Sequence, residues 1–222
     1  MKLALFDLDH TLLPLDSDYA WGQFTVEMGW RDAESHTRAN DAFYEQYKAG
    51  TLDIAEYIRF ATGAIREKGM AQANIAHARF MNEVIRPAIQ PAALDLVKKH
   101  QAQGDRVIII TATNEFVTRP IAQAFGVEEL MAVNLARCAN GEPTGEIEGT
   151  PSFREGKVAR VEQWLVARGL SWADVTHSSF YSDSINDLPL LEKVHEPVAT
   201  NPDARLQAIA AERGWRILNL FE

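Results

Sequence analysis

Short strand-like runs alternate with amphipathic segments along most of this chain, and the alternation limits the folds that it can adopt. The runs are Met1–Phe6, Arg106–Ala112, Thr176–Ser182, Pro197–Thr200 and Trp215–Phe221. They are too short for buried helices, so we interpret them as strands. Helical patterns at 91–103, 157–168 and 203–213 are each followed by glycine, which commonly ends a helix. Strands that alternate with helices in this way predict an α/β fold built on a parallel sheet.

The segment between Ser17 and Arg86 departs from the alternation, because it contains no convincing strand. The spacing of its apolar residues predicts four helices, at 17–30, 32–49, 53–67 and 71–86. Pro14 and Pro87 lie where hinges are expected on either side. We therefore predict a catalytic core made of residues 1–15 and 88–222, with an all-helical cap domain, 16–87, inserted after the first strand.

A second irregularity lies at 130–148, where Asn140-Gly141 separates short apolar segments. Asn-Gly is a strong signal for the tight turn of a β-hairpin. We therefore predict a small β-flap over this stretch.

The composition is that of an ordinary globular protein, with 46% hydrophobic and 24% charged residues in a chain of 222. Its 31 acidic and 22 basic side chains give a net charge of −9, and no basic stripe is present to neutralise phosphates. We therefore expect no nucleic-acid partner. The single cysteine, Cys138, excludes an internal disulfide and a cysteine-based zinc site.

The sequence also carries no signal for a membrane. No apolar run approaches the roughly 20 residues that span a bilayer. Asp7 follows the first residue too closely for a signal peptide. We expect a soluble cytoplasmic protein without a membrane partner, present as a monomer or a homodimer.

Two carboxylates follow the first predicted strand, in Asp7-Leu8-Asp9-His10-Thr11. In an extended segment Asp7 and Asp9 point to the same side, because side chains alternate with a period of two. Two acids at the end of a buried strand repel each other and require a cation or a proton. A capped polar strand end is the alternative explanation, but the strand before it is otherwise apolar. The pattern favours a functional acid pair.

Three more polar motifs follow along the chain. Thr111-Ala112-Thr113 ends the second strand, where hydroxyl and N–H groups can hold an oxyanion. Lys157 starts an amphipathic helix, and Asp183 and Asp187 come after the strand at 176–182. Each motif alone has an ordinary explanation, as a helix cap, a surface lysine or acids near a helix start. Together they are expected to meet, because the carboxyl ends of parallel strands share the edge where ligands of open α/β sheets bind.

The order of these four motifs resembles that of the haloacid dehalogenase superfamily, in particular the branch that includes phosphoserine phosphatase. The resemblance covers essentially the whole chain, including the helical insert and the flap. It implies a Rossmann-like core and a phosphoric monoester hydrolase that acts on a small-molecule phosphate ester. Two departures stand out, Ser182-Asp183 in place of the usual Gly-Asp and Thr111-Ala112-Thr113 in place of Ser-Gly-Gly. The added methyl groups narrow the phosphate end of the site.

The resemblance implies roles for the catalytic and phosphate-binding residues. Asp7 would be the nucleophile that forms an aspartyl-phosphate, and Asp9 the general acid and base. Thr111, the backbone N–H of Ala112 and Lys157 would bind the phosphate oxygens.

The resemblance also implies Mg²⁺ as the cofactor. Asp7, the backbone carbonyl of Asp9 and Asp183 would hold the ion, with Asn186 and Asp187 in support. The charges agree with this assignment, because the site contains four carboxylates and one lysine. A phosphate dianion needs a divalent cation to enter such a site.

The predicted cap is expected to select the substrate. Asp16 occupies the position where the phosphoserine family has an acid that meets the substrate amine, and Asp18 is a second candidate. Arg59 resembles the cap arginine that clamps the substrate carboxylate. The alternatives are that Asp16 caps the first helix and that Arg59 pairs with Glu56 on a solvated face. An acidic entrance favours an amine-bearing ester, such as phosphoserine or histidinol phosphate.

Other functions remain open from the sequence. A phosphotransferase would pass the same aspartyl-phosphate to an alcohol, and a broad-specificity phosphatase would accept many small metabolites. A receiver-type signalling domain also places acids, a threonine and a lysine around Mg²⁺, but it lacks a helical insert and the late pair of acids. A binding protein on a degenerate phosphatase fold is disfavoured by the intact Asp7, Asp9, Lys157 and Asp183.

Overall fold

Within residues 1–221, which the computed structural model describes, eight strands form two sheets. The strands are β1 (Lys2–Phe6), β2 (Arg106–Asn114), β3 (Glu129–Val133), β4 (Leu135–Arg137), β5 (Pro143–Ile147), β6 (His177–Ser182), β7 (Glu196–Thr200) and β8 (Arg216–Leu218). Six of them make one sheet in the order β3-β2-β1-β6-β7-β8, and all neighbours are parallel. The predicted α/β fold with a parallel sheet is confirmed.

The first strand lies in the middle of this sheet and is buried on both faces. Ala4 and Phe6 face one hydrophobic cluster, and Leu3 and Leu5 face the other, because side chains alternate along a strand. A strand of this kind carries no polar side chain in its interior. The first acid, Asp7, therefore comes where the strand leaves the core.

Helices flank the sheet and fill the long connection between β1 and β2. They are α1 (Ser17–Glu27), α2 (Ala33–Ala49), α3 (Ile54–Ala61), α4 (Gly63–Lys68), α5 (Met70–Phe80), α6 (Arg86–Ala88), α7 (Pro91–Ala102), α8 (Glu115–Ala124), α9 (Glu155–Val166), α10 (Leu188–Leu191) and α11 (Ala204–Arg213). A π-helical turn, Met81–Ile85, joins α5 to α6, and 3₁₀ turns lie at Trp172–Asp174 and Ile185–Asp187. We call α1–α6 the cap helices, and the six-stranded sheet with α7–α11 the core.

The regular elements of the cap are all helical, as predicted, but the helices are more divided than their spacing suggests. The predicted helix 53–67 is split into α3 and α4 at Thr62, whose hydroxyl donates to the Ile58 carbonyl at 2.6 Å. Side-chain hydrogen bonds of this kind compete with the helical pattern. The domain boundaries at 15/16 and 87/88 stay predictions.

The predicted flap at 130–148 is wrong in its first part. Glu129–Val133 is β3, an edge strand of the main sheet that pairs with β2 through Ile108–Ile110. Only β4 and β5 form the antiparallel hairpin, with Asn140-Gly141 between them. A short apolar run is equally compatible with a core strand and a flap strand. Which sheet it joins depends on the strand with which it pairs. We call β4 and β5 the flap.

In the described part of the chain, no helix is both long and apolar enough to cross a membrane.

Candidate active site

The carboxyl ends of β1, β2 and β6 meet at one edge of the sheet and carry the residues expected at the site. Asp7 follows β1, Thr111 lies near the end of β2, and Asp183 follows β6. The first turns of α9 bring Lys157 to the same edge. The structure therefore brings all four motifs together.

Lys157 is the centre of a buried ion-pair network. Its Nζ atom lies 2.7 Å from Oδ1 of Asp7 and 2.6 Å from Oδ2 of Asp187. Burial lowers the pKa of Lys157, but the charges of Asp187 and Asp7 outweigh it and raise the pKa above its ordinary value. Gly156 allows the approach, because a Cβ atom there would overlap the carbonyl oxygen of Pro151. The ammonium group is therefore charged and fixed in place.

Thr11 connects the first and last motifs. Its Oγ1 atom lies 3.2 Å from Oδ2 of Asp7 and 3.2 Å from Oδ1 of Asp183. The same hydroxyl oxygen accepts the backbone N–H of Asp183 at 3.0 Å. A hydroxyl has one proton, so it donates to one of the two carboxylates at a time. The sequence pattern gave Thr11 no role, and the only signal for it was its place in the first motif.

Asp9 is held through both of its side-chain oxygens. The backbone N–H of Ser17 donates to Oδ1 at 2.8 Å, and the hydroxyl of Thr113 donates to Oδ2 at 2.9 Å. Burial, followed by the charge of Asp16, raises the pKa of Asp9 to about 6. A carboxyl group with this pKa is present in both forms near neutral pH, as a proton donor and acceptor requires. The contact of Thr113 with Asp9 was missed, although the period of two along a strand places Thr113 on the same side as Thr111.

The acids at this edge repel one another. Burial, followed by the charges of Asp7 and Asp187, raises the pKa of Asp183 well above its ordinary value. Burial also raises the pKa of Asp7, and it raises that of Asp187 to about 6, although Lys157 acts in the opposite direction on both. One lysine does not neutralise the group, so the site favours a further cation.

Thr111, Ala112 and Thr113 line the inner end of the cavity at this edge. The Thr111 hydroxyl oxygen accepts the N–H of Thr113 at 3.1 Å, which keeps its own proton available for a ligand. The Thr111 carbonyl accepts the hydroxyl of Ser152 at 2.6 Å, which fixes the strand end. With Asn114 as N-cap, α8 starts just beyond, so the positive end of its dipole faces the same edge.

A cavity of about 50 Å³ lies between this edge and the cap helices. Its inner end is formed by Asp7, Asp9, Asp183 and Thr111–Thr113. The cap contributes the outer wall, with Asp16, Tyr19, Asn40, Phe43, Tyr44, Tyr47, Leu52, Ile54 and Tyr57. Of the described residues, His10 lines it but no lysine or arginine does. Only a small part of this space admits water-sized groups, so the cap helices lie close over this edge of the sheet.

Asp16 and Asp18 have different surroundings at the start of α1. Asp16 lines the cavity and also caps the helix, because its Oδ1 accepts the N–H groups of Asp18 at 3.0 Å and Tyr19 at 2.8 Å. Asp18 lies away from the cavity, where its Oδ1 accepts from Nδ2 of Asn114 at 3.2 Å. Burial, followed by the charge of Asp16, raises the pKa of Asp18 to about 8. The structure brings Asp16 to the site and does not bring Asp18 there.

Arg59 lies outside the cavity, contrary to the expectation of a carboxylate clamp. Its Nε and Nη2 atoms lie 2.9 and 3.3 Å from the two carboxylate oxygens of Glu146 in the flap. The alternative of a surface ion pair agrees with this contact, but the partner at ion-pair distance is Glu146 rather than Glu56. The sequence could not indicate this pair, since the two residues are 87 positions apart and meet only when the flap packs on α3.

Asn186 and Asp187 follow Asp183 and face different neighbours. Oδ2 of Asp187 accepts from the Ser182 hydroxyl at 2.7 Å, in addition to its ion pair with Lys157. The side-chain amide of Asn186 donates to the carbonyl of Tyr47, at the end of α2, at 2.9 Å. Asp187 therefore lies in the ion-pair network, whereas Asn186 reaches the cap.

Comparison with known proteins agrees with this geometry. A sequence model of the haloacid dehalogenase-like hydrolase family matches residues 4–192. A histidinol-phosphatase from Neisseria meningitidis serogroup C (strain 8013) is 42% identical over 218 residues, which cover 98% of each chain. The crystal structure of a protein of unknown function from Bordetella pertussis Tohama I is similar with a TM-score of 0.93 and 49% identity, over 99% of both chains.

A more distant structure shows the same fold. The complex of a phosphoserine phosphatase with its substrate is similar with a TM-score of 0.68 at 16% identity, over 98% of this chain and 92% of that one. The resemblance predicted from the four motifs is confirmed. The chain belongs to the haloacid dehalogenase-like hydrolase family, and within it to the phosphoric monoester hydrolases.

Proposed function

We propose that the chain is a Mg²⁺-dependent phosphomonoesterase that acts through an aspartyl-phosphate on Asp7, with Asp9 as general acid and base. Its substrate would be a small amine-bearing phosphate ester. The observation that carries the proposal is that Asp7, Asp9 and Thr111 line one small cavity, while Lys157 is bound to Asp7. A nucleophile, a proton donor and phosphate-binding groups thus converge on one space.

The oxygen atoms at this edge fit a Mg²⁺ ion. Asp7, Asp183 and the backbone carbonyl of Asp9 would hold it, with Asp187 and Asn186 in support, and Mg²⁺ usually keeps several waters besides. In residues 1–221, no group of three or more His, Cys, Asp or Glu side chains is arranged as a metal site. The proposed set combines two carboxylates with one backbone carbonyl. When bound, the ion would offset the repulsion between the acids and stabilise charge on the phosphoryl group.

In the first half of the proposed reaction, a carboxylate oxygen of Asp7 attacks phosphorus. The bond between phosphorus and the ester oxygen breaks, and Asp9 gives its proton to the departing oxygen, so that the alcohol leaves neutral. The contacts of Asp9 with Ser17 and Thr113 support this role, because they fix the orientation of the carboxyl group.

In the second half, Asp9 is a carboxylate and takes a proton from water. The water oxygen attacks phosphorus, the bond between phosphorus and Asp7 breaks, and inorganic phosphate leaves. Lys157, the Thr111 hydroxyl and the N–H of Ala112 would bind the phosphoryl oxygens in both halves and stabilise the negative charge.

The outer wall of the cavity supports a cationic substrate without a carboxylate. Asp16 and four tyrosines line it, and the faces of aromatic rings attract cations. A substrate carboxylate would lose its hydration there without gaining a basic partner from the cap. This favours an ester like histidinol phosphate over phosphoserine. The similarity to the Neisseria histidinol-phosphatase over nearly the whole chain supports the same choice.

The test is phosphate release from histidinol phosphate, phosphoserine and p-nitrophenyl phosphate, with and without Mg²⁺. We expect Mg²⁺-dependent release by the parent and none by Asp7→Asn, with the exposed Asp95→Asn as a matched control. When turnover of an ester with a radiolabelled phosphate group is stopped with acid, the label should be bound to the parent and absent from Asp7→Asn. Parent-like release by Asp7→Asn would refute the aspartyl-phosphate. Faster transfer to an added alcohol than to water would identify a phosphotransferase.

A further inference from the structure

Side chains from the core donate to the last carbonyl groups of one cap helix. The helix is α2, which ends with Gly50 in a left-handed conformation. The carbonyl oxygens of Tyr47, Lys48 and Gly50 accept hydrogen bonds from Asn186, Arg205 and Arg154, in that order. We call these three donors the α2 latch. They come from three separate segments of the core, so the convergence is not a local effect of sequence.

The arrangement is electrostatically favourable. The last carbonyl groups of a helix have no partner within it, and they carry the negative end of the helix dipole. Two members of the latch, Arg154 and Arg205, are cations, and the third presents an amide N–H group. If the C-terminal end of α2 moved away from the core, its carbonyl groups would lose these hydrogen bonds and bind water instead.

Gly50 makes room for the latch. Its φ angle is +71°, and a Cβ atom there would lie 2.5 Å from Nη2 of Arg154. A side chain at position 50 would therefore strain the backbone and displace the guanidinium group. Glycine at this position thus leaves the backbone unstrained at its positive φ and leaves the guanidinium group of Arg154 in its present place.

The latch and the active site are built from the same segments. Asn186 lies between Asp183 and Asp187, and Arg154 lies just before the helix that carries Lys157. On the other side, Tyr47 lines the cavity. The α2 end therefore contacts the segments that hold the acids and the lysine directly.

We propose that the α2 latch holds the cap helices closed over the cavity while the ester reacts, and releases them for substrate entry and product exit. Asn186 is then a positioning residue that links cap closure to the loop of Asp183. The kinetic test of this inference rests on the proposed function, because it measures turnover of an ester. The hydrogen-exchange test rests on the contacts of α2 alone.

The double variant Arg154→Met/Arg205→Met tests the latch. We expect the KM for histidinol phosphate to rise roughly tenfold, with kcat changed by less than about threefold, because two charge-assisted hydrogen bonds of the closed state are lost. Hydrogen exchange should accelerate at the end of α2 and stay unchanged in β1. Arg213→Met is the matched control, because Arg213 lies on the same helix as Arg205 but pairs with Glu192 of the core.

Two more variants keep the test decisive if the double variant folds poorly. Gly50→Ala displaces Arg154 without removing a donor and should also raise the KM, whereas Arg154→Lys keeps a cation and should restore part of the affinity. Parent-like KM and exchange in the double variant and in Gly50→Ala, or an equal rise in Arg213→Met, would overturn the latch. If the parent turns over no ester, the exchange measurement still decides, so the latch and the proposed function fail separately.

Asn186→Ala separates the latch from support of the metal. As a latch member, Asn186 should affect the KM for the ester, whereas its proposed support of the metal would show as a higher Mg²⁺ concentration for half-maximal rate. Its effect should be less than additive with that of Arg154→Met, since both act on one helix end. A raised Mg²⁺ requirement at an unchanged KM would assign Asn186 to the metal and remove it from the latch.

Discussion

The two ends of the cavity are built on different principles. At the inner end, Asp7, Asp9 and Asp183 are placed by strands whose carboxyl ends share one edge of a parallel sheet. At the outer end, residues such as Asp16 and Tyr57 come from helices whose rotation is set by tertiary packing. The topology of the sheet therefore places the residues of the inner end, whereas the packing of the cap helices places those of the outer end.

The two ends also differ in charge. The inner end concentrates acids around one buried lysine, and each acid has a fixed partner. The outer end is aromatic, and in the described chain Asp16 is its carboxylate. Changes at the inner end should abolish the reaction with every substrate, while changes at the outer end should alter only the choice of substrate.

The largest effect is expected for Asp9→Asn. Loss of the general acid and base should lower kcat by about 10²- to 10⁴-fold. With p-nitrophenyl phosphate, whose leaving group needs little protonation, the variant should release a burst of p-nitrophenol equal to the enzyme and then stall as the phospho-enzyme. Rapid-quench measurements check this, and a variant that shows neither a burst nor trapped phosphate would contradict the role of Asp9.

The second largest effect is expected for Lys157→Met. This variant tests whether the acids of the inner end depend on the charge of Lys157. Phosphate release should fall by about 10²- to 10³-fold. Without Mg²⁺, the free energy of unfolding should fall by about 3–5 kcal/mol, because Asp7 and Asp187 are left buried without their cation. Urea unfolding measures this. Adding Asp187→Asn should recover part of the stability and none of the activity, and a fully stable single variant would argue against the network.

Asp18→Asn should change stability in a pH-dependent way. Folding raises the pKa of Asp18 from its ordinary value of 3.8 to about 8. Between these values the folded state holds a proton that the unfolded state releases, so the free energy of unfolding decreases as pH rises. Asparagine does not titrate and can still accept from Asn114. We expect the variant to be more stable than the parent by up to about 5 kcal/mol at pH 8, with a gap that shrinks towards pH 4.

The measurement for Asp18→Asn is urea unfolding of parent and variant over this pH range. Asp95→Asn, which removes an exposed acid on α7, should show no such trend. A gap that is constant with pH would mean that Asp18 does not hold its proton in the folded state.

Asp16→Asn addresses selectivity. Asparagine caps a helix as well as aspartate does, so the variant keeps α1 and loses only the charge. The KM for histidinol phosphate should rise about tenfold, because a charge-assisted hydrogen bond to the substrate amine is weakened. The KM for p-nitrophenyl phosphate, which has no amine, should stay the same. Equal effects on both esters would mean that Asp16 does not bind the substrate amine.

The smallest effect is expected for Arg59→Met. Exposed ion pairs contribute about 0–1 kcal/mol, and both partners are about half exposed. Steady-state constants for histidinol phosphate and phosphoserine should therefore stay within about twofold of the parent. A selective loss of phosphoserine turnover would restore Arg59 to the substrate.

The contrast between the two ends also explains what the sequence could predict. The order of Asp7, Thr111, Lys157 and Asp183 was sufficient to bring them to one edge, because a parallel sheet leaves few alternatives. Asp18 and Arg59 lie outside the cavity in this structure, and helical spacing could not indicate that, since it does not reveal which neighbour a side chain meets. The sequence predicts a flap at Glu129–Val133, where the structure has a core strand, because a short apolar run contains no information about its partner strand.

The most direct test of the account is the ratio of kcat/KM for histidinol phosphate to that for phosphoserine, measured at saturating Mg²⁺. Among residues 1–221, the outer wall has a carboxylate and no lysine or arginine. This predicts a preference of about 100-fold or more for histidinol phosphate, because the phosphoserine carboxylate would be buried without a partner. Equal or better turnover of phosphoserine would contradict the account, since it would require a basic group to reach the cavity when the cap closes.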